Sequence, residues 1–69
     1  MGNQLLATYY IQGNIFNIWA CWDKETQENK FDFYDIYDKY GHCINEGNPF
    51  YDFPTWAEIK EYLEENNII

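Results

Sequence analysis

The sequence predicts an α+β domain, a small antiparallel β-meander of about four strands with one C-terminal helix packed on the sheet. Three observations carry this expectation. Runs rich in aromatic and β-branched residues fill the first two thirds of the chain, glycine-containing turn signals punctuate them, and a helix-start signature follows at Thr55. Strands succeeded by a single helix are the pattern of a two-layer fold.

Residues 5–12 and 15–23 read as the first two strands, joined at Gly13-Asn14, a pair suited to the positive φ angles of a two-residue hairpin turn. In the second run Phe16, Ile18, Ala20 and Trp22 share one parity and read as the core face; Ile15, Asn17, Trp19, Cys21 and Asp23 share the other. Trp19 is then either covered by another element or an exposed aromatic. Residues 24–30 are polar throughout and read as a loop. Residues 31–38 read as a third strand with an imperfect pattern: Phe31 and Phe33 have one parity, Tyr34 and Ile36 the other, which requires a bulge or two covered faces. Phe33, Tyr37 and Tyr40 also have helical spacing, but a segment without Ala or Leu and rich in aromatics favours a strand. Asp38-Lys39-Tyr40-Gly41 has the form of a type I turn closed by a left-handed glycine, and a short fourth strand is expected over 42–46.

Gly47-Asn48-Pro49 breaks the sheet and leads into an extended connector with Phe50, Tyr51 and Phe53. Thr55 and Glu58 form a capping box, which starts a helix running from Trp56 to about Asn66. Trp56, Ile59, Tyr62 and Leu63 make its apolar stripe, opposite Glu58, Glu61, Glu64 and Glu65. The expected interior comprises Phe16, Ile18, Trp22, Phe33, Ile59 and Leu63.

Sixty-nine residues fit one domain, spanning 1–69. Twelve Asp and Glu against four Lys give a net charge of −8, a balance that in a chain poor in apolar residues would mean disorder. Fifteen aromatics argue for a compact fold instead. The charge repels nucleic-acid phosphates and anionic lipid, so neither nucleic acid nor membrane is expected as a direct partner. No apolar run approaches the ~20 residues of a bilayer span. With no signal peptide in view, Cys21 and Cys43 read as reduced, mostly buried thiols of a cytoplasmic protein.

Catalysis and cofactors are not expected. His42 and Cys43 are adjacent in a predicted strand and point to opposite faces, which prevents their pairing as base and nucleophile. Two cysteines and one histidine fall short of a four-coordinate metal site. The Asp35 to Gly47 stretch fails as a calcium loop, because placing Gly41 at position 6 puts Ile36 and Tyr40 where oxygen ligands are required.

The acids themselves are the strongest functional signal. On a helix, Glu58, Glu61 and Glu65 advance in steps of about 4.5 and 6 Å, a sparse negative row comparable in pitch to phosphates spaced ~3.4 Å along a DNA strand. Asp32 and Asp38 on the third strand are expected to extend that field where the strand edge nears the helix. In size, acidity, compactness and lack of catalytic machinery the chain resembles the small inhibitors that phages and mobile elements make against host nucleases, the anti-CRISPR and anti-restriction proteins, several of which resemble DNA in charge. The likeness is one of whole-chain profile, without a motif, and implies a basic protein partner such as a nuclease complex. The competing expectation is a protein-interaction or assembly module anchored by exposed aromatics such as Trp19, Tyr51 and Trp56. So many aromatics on so short a chain also point to a homodimer.

Overall fold

A computed structural model describes residues 2–22 and 33–69. Strands β1 (Gly2–Ile11), β2 (Asn14–Trp22) and β3 (Phe33–Asp38) form one antiparallel sheet in the order β1-β2-β3, and helix α1 (Trp56–Glu65) follows. The loop expected over 24–30, together with Phe31 and Asp32, lies outside the described residues.

The hairpin turn falls one residue earlier than Gly13-Asn14. Ile11 pairs with Asn14, and the two central residues are Gln12 and Gly13, with φ of 50° and 80°. The first angle lies in the left-handed region that side chains tolerate; the second lies beyond it, so glycine is needed at the second position and Asn14 is left to open β2. The hairpin register continues through Tyr9 opposite Phe16 and Ala7 opposite Ile18 to a bulge at Leu6, after which Leu5 faces Trp19 and Gly2 faces Trp22.

On β3, Tyr34 and Ile36 pair with Ala20 and Ile18 and so share the core face, whereas Phe33, Asp35 and Tyr37 point to the other side. Phe33, expected inside, is therefore half-buried on the face opposite the helix. Trp22 keeps core parity but sits at the end of the sheet over Gly2, where a methyl group would come within 2.5 Å of its Cζ2.

The fourth strand expected over 42–46 does not form. Cys43 makes one isolated bridge with Tyr37, and the chain then turns through 44–47, with Gly47 at φ 81°. The outer edge of β3 is completed piecewise: Asp38 N donates to His42 O (3.0 Å), Ile44 N to Ile36 O (2.8 Å), and Tyr34 N to Phe50 O (2.7 Å). Between these, the buried Asn45 side chain imitates a peptide group. Its Oδ1 accepts from Ile36 N (2.9 Å) and its Nδ2 donates to Tyr34 O (3.2 Å) and Asn48 O (3.4 Å). A buried backbone group must find a partner, and here a turn with one amide side chain supplies it where a fourth strand was expected.

The turn after β3 takes the expected form. Gly41 N donates to Asp38 O (3.1 Å) with Gly41 at φ 82°, and the Asp38 carboxylate accepts from Tyr40 N and His42 N, both at 2.9 Å. The helix start is also as the sequence indicates: the Thr55 hydroxyl accepts from Glu58 N (3.2 Å) while Glu58 Oε1 accepts from Thr55 N (3.3 Å). The helix ends in a Schellman-type closure, Ile68 N to Leu63 O (2.9 Å) and Asn67 N to Glu64 O (3.2 Å), with Asn67 at φ 55°.

Ile59 and Leu63 press this helix onto one face of the sheet, against Ile11, Phe16, Ile18 and Ile36. All six are at most 2% exposed. Trp56, placed in the apolar stripe by its spacing, lies at the rim instead, 43% exposed, with its indole N–H donating to Tyr10 O (2.8 Å). No helix among the described residues is long and apolar enough to cross a membrane.

Candidate binding surfaces

The two-layer arrangement separates the candidate residues onto opposite sides of the molecule. Glu58, Glu61 and Glu65 lie on α1, and Trp19 lies on the sheet face turned away from α1. A single flat partner surface cannot meet both sets.

On the helix, successive residues turn by about 100°. Glu58, Glu61 and Glu65 thus fall within an arc of about 60°, nearly opposite Ile59 and Leu63, which are buried. All three glutamates are exposed, as is Glu64, which pairs with Lys60 at 3.2 Å. The last turn contains no basic residue to offset the negative end of the helix dipole. Glu61 and Glu65, one turn apart, repel each other. These charges do nothing for helix stability, so folding gives no reason for them. Glu58 differs in that its carboxylate also holds the capping box and accepts from the Thr55 hydroxyl (3.1 Å).

Asp38 is tied into its own turn. Its carboxylate is engaged by Tyr40 N and His42 N, and the His42 imidazole approaches to 3.7 Å. The His42 backbone hydrogen bond, above all, holds this carboxyl below its ordinary value. Asp32 lies outside the described residues. Tyr51 is 73% exposed on the connector before α1.

The open sheet face carries Leu5, Trp19 and Asp35 in one cross-strand row and Asn3, Cys21 and Phe33 in the next. Shallow hollows on either side of Tyr37 reach Trp19 and Asn17 on one flank and Cys43 and Glu46 on the other. Burial, followed by the charges of Cys43 and Asp35, pushes the Tyr37 hydroxyl above its ordinary pKa. Burial likewise raises the Cys43 thiol, against the opposing pull of an Asn45 backbone hydrogen bond. Cys43 Sγ donates to Asn45 Oδ1 (3.3 Å) and Cys21 Sγ to Asp35 Oδ2 (3.5 Å). The His42 imidazole lies 3.7 Å from the Asp38 carboxylate, and the Cys43 thiol faces Asn45. Cys21 stands opposite Phe33 and Cys43 opposite Tyr37, which puts their Cα atoms on the order of 16 Å apart given ~3.3 Å per residue and ~4.8 Å per strand. A disulfide needs less than about 7 Å. Among the described residues no cluster of three His, Cys, Asp or Glu could hold a metal.

The shifted groups make the stability of the fold depend on pH. Because the Asp38 carboxyl is lowered, its contribution is full above its unfolded pKa and is lost as pH falls through the folded value. Tyr37 and Cys43 are raised, so theirs is full below their unfolded pKa values and is lost as pH climbs through the folded ones. Melting curves against pH should show a plateau between these limits. Asp38→Asn, which keeps an acceptor for the turn, should flatten the acid side alone.

Two features escape sequence reasoning about individual motifs. One is Asn45, whose role as an edge cap has no local signature. The other was visible in the charge order: residues 1–22 hold no Asp, Glu, Lys or His, so every charged side chain follows Trp22. Comparison with protein-family models, curated proteins and solved structures finds no match to this chain.

Proposed function

We propose that the chain is a small, non-catalytic acidic protein that blocks the basic nucleic-acid-binding surface of a host nuclease, in the manner of anti-CRISPR and anti-restriction proteins. The single observation that carries this reading is the exposed row Glu58, Glu61 and Glu65 on the outer side of α1, in a chain of net charge −8. A row of carboxylates on a rigid helix presents charge without the cost of ordering a flexible acidic tail. A partner that needs them accounts for Glu61 and Glu65, which repel each other near the negative end of the helix.

The test uses a variant that respects the cap. Glu58→Gln removes a charge while leaving a side chain able to close the capping box, and Glu61→Lys with Glu65→Lys reverses the rest. The triple variant should melt at or above the parent temperature, since lysines suit a helix C-terminus better than glutamates. It should lose a basic nuclease that the parent chain captures from host extract. Duplex DNA should displace the parent chain from that nuclease, and the complex should weaken steeply between roughly 50 and 200 mM salt. Capture that survives both the variant and the salt would remove the reading. Capture lost instead through Trp19→Ala or Tyr51→Ala would establish an interaction module anchored by aromatics.

A further inference from the structure

We infer that the outer edge of β1 pairs with the same edge of a second copy, joining two three-stranded sheets into one antiparallel sheet of six. The backbone pattern locates the free groups. The two-residue turn makes Ile11 and Asn14 a hydrogen-bonded pair, and alternation along the ladder then turns the N–H and C=O of Tyr10 and Thr8 outward. Beyond the bulge, Leu5 and Asn3 are the outward-facing residues. Tyr10 O is taken by the Trp56 indole. Among the described residues no strand lies against the rest of this edge, while the edge of β3 is closed by 42–50.

Exposed edges are usually guarded by lysine, proline or inward-pointing charge. β1, GNQLLATYYI, has none of these, and it exposes Leu5 at 46%, Leu6 at 36% and Tyr10 at 68%. Charge selects the occupant. Two molecules of net charge −8 repel wherever their acids face each other, and the first hairpin is the one part of the chain free of them. A basic segment would find no carboxylate on this edge, whereas an antiparallel edge is complementary to its own copy about a two-fold axis. The cap on Tyr10 limits the pairing to residues 2–8, and the bulge at Leu6 divides it into a segment at 2–5 and a second contact at Thr8. Pairing there sets Leu5 and Trp19 of both copies in one apolar row on the open face. A two-fold perpendicular to the sheet places both acidic helices together on the other face.

Sedimentation of the full chain from low to high micromolar concentration should show a reversible monomer-dimer equilibrium. Added salt should tighten it by screening the remaining repulsion, the opposite of the effect expected for the acidic-face complex. Leu5→Lys should shift the molecule to monomer with its circular dichroism unchanged. Asn3→Pro, which removes only an outward N–H, should do the same. In the parent chain the Leu5 and Thr8 amides should gain protection from hydrogen exchange as concentration rises, a readout independent of either variant's folding. A monomer at every concentration overturns the inference. So does a dimer in which those amides stay unprotected, or one that both folded variants leave intact.

Discussion

Asn45→Ala should lower the midpoint of thermal unfolding steeply. The substitution leaves Ile36 N, at the centre of β3, without the side-chain amide oxygen that answers it at 2.9 Å, and leaves Tyr34 O with only the longer hydrogen bond from Phe50 N (3.4 Å). Each buried polar group left unsatisfied costs about 1–3 kcal/mol. A single core in a chain of this length supplies only roughly 3–5 kcal/mol in total. The orphaned Ile36 N–H, with a weakened Tyr34 carbonyl beside it, therefore removes a large share of the stability of the domain. Calorimetry or urea titration checks this; a variant within 1 kcal/mol of the parent, on the order of one satisfied hydrogen bond, would mean that water or backbone movement replaces the amide. Asn45→Asp should be no rescue, since a carboxylate has no N–H for Tyr34 O and would bury a charge.

Phe16→Ala and Trp19→Ala should behave in opposite ways although the two aromatics are three residues apart on one strand. Phe16 is 2% exposed among Ile11, Ile18, Ile36, Ile59 and Leu63. Truncating it removes buried surface and leaves a cavity under α1, at a cost of about 3–5 kcal/mol. That equals the expected total, so the folded population should collapse. Trp19 is half-buried on the open face between Leu5 and Asp35, with no second layer above it among the described residues. Its removal leaves no enclosed cavity and should cost far less. Parallel denaturation curves decide the matter, and equal losses would mean that the open face is as tightly packed as the core.

These expectations also show what the sequence made legible. The alternation of Phe16, Ile18 and Ala20 identified the buried side of β2 because one covered face imposes a period of two. Thr55 and Glu58 located the helix start because a capping box is a local pattern with a local cause. The glutamate row was readable for the same reason, since helical periodicity alone puts Glu58, Glu61 and Glu65 opposite Ile59 and Leu63. The failures involve distant contacts. Whether residues 42–46 form a strand depends on how Ile44, Asn45 and Phe50 meet the edge of β3, and no short window contains that information. Phe33 and Trp22 look like core residues by type, but the sheet's end and the face turned away from α1 absorb them. The hairpin turn was placed one residue late because Gly13 fits either position by composition, and only the larger φ of the second requires it there.

The closed edge of β3 has a consequence for the number of neighbours a molecule can have. A sheet with two open edges is a bifunctional monomer: each addition exposes a fresh end, and growth continues into a fibre. Here the carbonyls and amides of Tyr34, Ile36 and Asp38 are spent on Gly41, His42, Ile44, Asn45 and Phe50 of the same chain. The sheet therefore has a valency of one. Any strand added at β1 terminates the assembly it begins, and a chain with an unguarded, charge-free edge can stay finite in solution because its other edge has already been capped from within.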